Sequence, residues 1–230
     1  MSRMIMTLVL MLVMEIAAGA ETIDADLLVY RVTEADAEPY ISRILVSGRF
    51  VRLDQGETES GFILFDREKW TVYSVSAEDQ TVLEVHPDKR APTQRGQLEV
   101  RRMPAQEAPE VDGVKPQYYR YLADGKVCRE AFVLPGVMKR ALKTLRAYRR
   151  LLADQEAATL SNIPKDVRTP CGDALNLHSP EAELEQGLPV RVWDEARREE
   201  LLDYRTSFAV SYEAFELPEG YERMDLNKAP

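Results

Sequence analysis

From Asp26 to Pro87 short apolar segments are separated by turn-prone polar residues, in the manner of strands. Leu83 and Val85 alternate with Glu84 and His86, the pattern of a strand with one buried face. Segments rich in Val, Ile, Leu and aromatic residues recur at intervals of roughly ten residues. They run from Leu27 to Val32, Tyr40 to Val46, Arg49 to Leu53, Phe62 to Phe65, Thr71 to Val75 and Thr81 to Val85. The polar stretches Asp66 to Lys69 and Ala77 to Gln80 have hairpin length, so an antiparallel meander is predicted. Phe62-Ile63-Leu64-Phe65 does not alternate. Such a run belongs to a strand covered on both faces, by a later helix or by a bound apolar ligand.

The pattern then changes twice. Pro87 to Arg95 and Pro104 to Gln117 are proline-bearing and poor in large apolar residues, so they read as surface loops around one strand over Gly96 to Met103. Tyr118 to Leu122 and Val127 to Leu134 flank Asp124-Gly125, a hairpin signal because both turn residues tolerate positive φ. After Pro135-Gly136 the period lengthens. Val137, Met138, Ala141, Leu142, Leu145, Tyr148, Leu151 and Leu152 trace the stripe of an amphipathic helix reaching about Asp154. A second helical piece extends to Leu160 and ends before Pro164, so the helical excursion covers residues 136 to 162. Pro164 to Leu188 reads as loop. Strands resume at Val190 to Trp193 and Leu201 to Val210, joined by a charged turn over Asp194 to Glu200, and the polar tail from Glu219 is expected to fray. There is no internal repeat, and residues 21 to 230 read as one domain.

Composition narrows the function. The chain has 230 residues and a net charge of −9. General nucleic-acid binding is disfavoured, because phosphate affinity comes from clustered Lys and Arg. Arg3, the apolar run Met4 to Met14 and the small residues Ala18-Gly19-Ala20 have the layout of a secretory leader, with cleavage expected after Ala20. That run is too short to span a bilayer, so an integral membrane protein is not expected. Loss of residues 1 to 20 removes one cation, Arg3, and one anion, Glu15, leaving the charge at −9. Position 21 is Glu, so no thiol for lipid attachment follows the cleavage site, and a soluble periplasmic protein is expected. Two cysteines in an exported chain most often pair. A Cys128–Cys171 bridge is therefore expected, two buried thiols or one reactive thiol being the other arrangements. Closing that loop contributes about 4 kcal/mol at most.

Candidate chemistry is sparse. His86 and His178 stand in separate contexts, with no spacing that gathers metal donors, and no metal or cofactor is expected. Neither GxSxG, SxxK nor a glycine-rich phosphate loop is present, and acidic pairs such as Asp36/Glu38 and Glu57/Glu59 read as solvated loop residues, so no catalytic residue is assigned. The predicted helix carries Lys139, Lys143, Arg146 and Arg150 on its polar face, with Arg140 and Arg149 beside them. This face either salt-bridges acidic neighbours on the sheet rim or meets anionic headgroups or an acidic partner. Ile63, Phe65, Trp70, Tyr73, Leu142 and Leu145 are the candidate lining of an apolar cavity, core packing being the alternative.

The stretches YISRILVSGRFVRLD and GFILFDREKWTVYSV, within Tyr40 to Val85, and FELPEGYE, Phe215 to Glu222, resemble an uncharacterised family of proteobacterial envelope proteins related to the Lol-type lipoprotein carriers. The resemblance implies an α+β fold, a curved antiparallel β-sheet forming an incomplete barrel with helices covering its concave face. It also implies a non-catalytic periplasmic carrier for a hydrophobic ligand, a lipid or a lipoprotein acyl chain. The alternative is an envelope interaction or sensing module with a packed interior. No acyl-binding or lid-controlling residue of the carriers is matched by this sequence, and none is carried over.

Overall fold

A computed structural model describes residues 21–56, 61–87, 98–104, 108–162, 164 and 167–226. The leader expected at residues 1–20, the Glu57/Glu59 pair and most of the loop expected over 87–95 lie outside these residues. Twelve strands form one open sheet. On one side a meander runs β1 (Thr22–Glu34), β2 (Tyr40–Val46), β3 (Phe50–Asp54), β4 (Phe62–Asp66), β5 (Thr71–Ser76) and β6 (Thr81–Val85). The second comprises β7 (Leu98–Met103), β8 (Gln117–Ala123), β9 (Lys126–Leu134), β10 (Leu188–Trp193) and β11 (Arg197–Ser211). The antiparallel pairing of β1 with β11 joins the two meanders. The result is the α+β incomplete barrel with an open, curved, mostly antiparallel sheet that the resemblance implies.

Helix α1 (Lys139–Thr159) packs against the concave face. Gly136 at φ 79° and Met138 at φ 51° turn the chain out of β9 and into α1. A methionine in the left-handed region costs of order 1 kcal/mol, offset here by burial of its side chain in the main core. That core takes alternate residues from each strand: Leu28, Tyr30 and Val32 of β1, Val51 of β3, Phe65 of β4 and Val72 of β5, against Leu142, Leu145 and Tyr148 of α1. Thr144 fastens the helix further, its buried Oγ1 donating to Ser47 O at 3.0 Å. Over β8 and β9 the cover is a single helical turn, α2 (Pro170–Gly172), a π-turn over Asp173–His178 and α3 (Ala182–Gln186). Cys128 of β9 and Cys171 of α2 form the expected disulfide, Cα atoms 5.2 Å apart.

Phe62 to Phe65 is covered on both faces, as its composition demands, and the chain itself supplies both covers. Ile63 and Phe65 face α1; Phe62 and Leu64 face the opposite way. The cover on that convex side comes from beyond β11, a 3-10 turn over Tyr212–Phe215 followed by Leu217. Phe215 is 3% exposed and stacks on Phe50 at 5.4 Å. Arg52 ties this cover down, donating to Ala214 O at 2.8 Å while its guanidinium lies 3.8 Å from the Phe62 ring centroid.

Three expectations are corrected. The tail from Glu219 does not simply fray: Glu222–Asp225 forms β12, parallel to β6. Asp194 to Glu200 is not all turn, because Arg197 to Glu200 already belong to β11. There Arg198 and Glu199 face Trp193 and Val192 across the ladder. Strand residues this charged are accommodated because cross-strand neighbours carry opposite signs, as with Arg191 and Glu200 at 3.2 Å. Pro164 to Leu188 is not loop throughout, since it contains α2, the π-turn and α3.

Two buried carboxylates make the convex side acid-sensitive. Asp54 accepts from Arg43 at 2.7 Å and from Arg52 at 2.7 Å, and Asp66 from Arg49 at 2.7 Å. Burial works to raise both acids, yet the guanidinium hydrogen bonds prevail and hold both below the usual carboxylate range. A folded-state pKa below the unfolded one gives stability that is complete above the unfolded value of about 4 and is lost as pH falls through the folded value. Thermal unfolding should thus be flat from neutral pH to about pH 5 and fall steeply below about pH 4. Asp54→Asn should lose about 2 kcal/mol at neutral pH and show a shallower acid limb. Reduction of Cys128–Cys171, or its replacement by two serines, should lower stability by about 2–4 kcal/mol, measured as a lower urea midpoint.

Candidate functional site

Between α1 and the concave face lies a cavity of about 330 Å³. Its apolar floor follows from two periodicities. Residues two apart on a strand share a face, which places Tyr30 and Val32 of β1 and Ser42 and Ile44 of β2 there, with Leu53 of β3. Residues three, four and seven apart share a helix face, which brings in Leu145, Tyr148, Arg149 and Leu152 of α1. The opposite wall is Val192 and a charged cluster: Arg129 of β9, Glu183 of α3, Asp194 after β10, and Arg197 and Glu199 of β11.

The charged wall is internally matched. Arg129 donates to Glu183 Oε1 at 2.8 Å and to Asp194 Oδ2 at 3.1 Å. Burial opposes its charge, but the two carboxylates outweigh burial and hold the guanidinium protonated. Arg197 donates to Glu199 at 2.7 Å and also pairs with Glu34. The Tyr30 hydroxyl donates to Pro189 O at 2.9 Å, and burial pushes its pKa far up, so it remains a neutral donor. Arg149, exposed at the cavity's edge, makes no hydrogen bond or ion pair among the described residues. The arrangement therefore offers an apolar surface for a chain, with a polar end where a head group can stay hydrated.

Of the six residues expected to line a cavity, Leu145 does so. Ile63, Phe65, Trp70 and Leu142 belong to the core beside it, the Phe65 ring 5.7 Å from Tyr148 and 5.8 Å from Trp70. Tyr73 is a correction: strand alternation places it on the convex face with Phe215, across the sheet from Leu142 and Leu145. On the cationic face, Arg150 pairs with Glu181, and Arg140 pairs with Asp24 and Asp26, whereas Lys139, Lys143 and Arg146 make no ion pair among the described residues. The two histidines are not brought together. His86 stands 3.4 Å from Asp225 beside the β6–β12 edge, and His178 ends the π-turn at the other end of the sheet. Among the described residues no group of three His, Cys, Asp or Glu is placed to hold a metal ion.

Val32 and Ile44 lie in segments of strand composition, but nothing in the sequence singled them out as floor residues. The charged wall was not legible either. Arg129 is 54 positions from Glu183 and 65 from Asp194, and nothing local in the sequence marks them as partners.

No protein-family model matches this chain, and no curated protein matches it. Among solved structures, the chain is similar to an uncharacterised conserved protein from Thermus thermophilus, with TM-score 0.47 at 8% identity over 87% of this chain and 90% of that one. PNGF-II gives TM-score 0.39 at 8% identity over 88% of this chain and 31% of that one. A LolA superfamily protein from Nitrosomonas europaea gives TM-score 0.29 at 8% identity over 86% and 91%. At such identities none of these carries a function across, and the site is read from its own residues.

Removing Arg129 exposes the dependence of this wall on one cation. Arg129→Leu leaves Glu183 and Asp194 facing each other and should cost about 3 kcal/mol by urea unfolding. Arg129→Leu combined with Glu183→Leu should recover part of that loss.

Proposed function

We propose that this protein is a non-catalytic periplasmic carrier that holds one apolar or amphipathic chain between α1 and the concave face of the sheet. The observation that carries the reading is the cavity itself: an apolar floor from three strands and a helix, meeting a polar wall at one end. Each methylene buried there contributes about 0.8 kcal/mol without needing a charged contact. At about 330 Å³ the cavity lies at the small end of the ~300–1,000 Å³ common for ligand sites, which suits a single short chain. A larger lipid or a lipoprotein anchor requires α1 to shift, which means releasing Thr144 from Ser47 and Arg140 from Asp24 and Asp26. The disulfide supports an oxidising compartment.

One observation favours the second reading, an interaction module without a ligand: Phe65, Trp70 and Tyr148 already fill the core beside the cavity. Fluorescence of phenylnaphthylamine, an apolar probe that brightens on burial, separates the two. The carrier should brighten it, and Leu145→Trp and, at the rim, Ser42→Trp should each weaken binding by about tenfold, equivalent to displacing roughly two methylenes of contact. Both variants must keep a cooperative unfolding transition, since overfilling costs about 1–3 kcal/mol. A wild-type protein that leaves the probe dark, or folded variants that bind it unchanged, would replace the carrier reading with the interaction module.

A further inference from the structure

The cationic stripe of α1 stands apart from the rest of the molecule's electrostatics. The protein carries −9 overall, yet α1 opens with six cations and no acid between Lys139 and Arg150. Two of the six are neutralised by carboxylates, Arg140 by Asp24 and Asp26 and Arg150 by Glu181. The exposed Lys139 and Lys143 and the half-buried Arg146 follow one another at steps of four and three residues and so form one line on the helix face directed away from the core. None of these three makes an ion pair among the described residues. Their placement also opposes the helix dipole. The first turn of α1 contains Lys139 and Arg140 and no acidic residue, at the positive end of the helix, where a cation is unfavourable. Arg149, at the edge of the same stripe, borders the cavity.

We propose that this stripe seats the protein on the headgroup plane of an anionic phospholipid bilayer, with α1 lying along the surface. Charge complementarity supports it: a line of cations roughly 10 Å long on a surface helix, without ion-pair partners among the described residues of an acidic protein, meets a plane of phosphates. The bilayer is favoured over an acidic protein because the stripe is linear and adjoins through Arg149 a cavity with an apolar floor. Headgroup attraction does not require the cavity to be filled, so this seating is independent of the carrier reading.

Flotation of the full chain with vesicles tests it. The wild-type protein should float with vesicles of equimolar phosphatidylglycerol and phosphatidylcholine, stay behind with phosphatidylcholine alone, and be released at high salt. Each cation near a charged surface changes affinity by about fivefold, so Lys143→Gln with Arg146→Gln should weaken vesicle binding by about thirtyfold. These side chains make no ion pair among the described residues, so the variant's unfolding midpoint should match the wild type. Lys126→Gln with Arg101→Gln, which removes the same charge elsewhere, should bind vesicles like the wild type. Absence of flotation with the anionic vesicles overturns the proposal, as does equal loss in both double variants, which would make binding a matter of net charge. Stripe-dependent binding to a purified acidic protein with no vesicle binding also overturns it, assigning the face to a protein partner. Probe fluorescence in the Lys143→Gln/Arg146→Gln protein should be unchanged, so failure here and failure of the carrier reading are separately visible.

Discussion

Everything in this fold depends on the pairing of β1 with β11, which brings Thr22 opposite Ser211 and Glu34 opposite Arg197. Each meander on its own has a strand at its inner edge with unmatched backbone groups, and the seam satisfies both at once. Two register shifts interrupt it, and Asp26 lies beside one of them. Its carboxylate, 3% exposed, accepts from Ser207 N at 3.0 Å and from Arg140 at 3.1 Å. One buried acid thereby joins β1, β11 and the start of α1, so the irregularity in the ladder anchors the helix that covers the concave face.

From that seam follows a division of labour between the two faces. The concave face is closed by segments inserted between β9 and β10, which are α1 and the disulfide-tethered stretch around α2 and α3. The convex face of β3 to β6 is closed by the chain that emerges from β11. On the convex face of β8 to β10 no such cover forms among the described residues; instead the residues match one another, with Tyr118 stacked on Phe132 at 5.0 Å and Glu130 accepting from Arg120 at 2.9 Å and from Trp193 at 3.0 Å. Paired charges and stacked rings let a solvent-facing sheet carry large side chains without a second core. The cavity sits where the concave cover changes from apolar helix to charged wall, because neither α1 nor α3 reaches fully across that junction.

The strands and the main helix were legible because their signals are local. Alternation in Leu83 to His86 and the three- and four-residue steps from Met138 to Leu152 depend only on which face each residue presents. The short β12 was not legible: Glu222 to Asp225 is polar, and it is a strand because β6 offers a free edge beside it. Tyr73 was misplaced for a related reason. Its aromatic character marks it for burial, but two cores lie back to back across one sheet, and composition does not say which core a side chain enters.

By itself, the sequence determined the open meander, the amphipathic helix with its cationic face, and the need for a cover on both sides of Phe62 to Phe65. These are consequences of residue type and spacing, which act over a few residues. Only the tertiary structure decided what supplies the covers, which cations of α1 stay unmatched, and where the cavity lies. Those outcomes rest on pairings between residues far apart in the chain, such as Arg140 with Asp26 and Arg129 with Asp194, and such partners are chosen by the geometry of the assembled sheet.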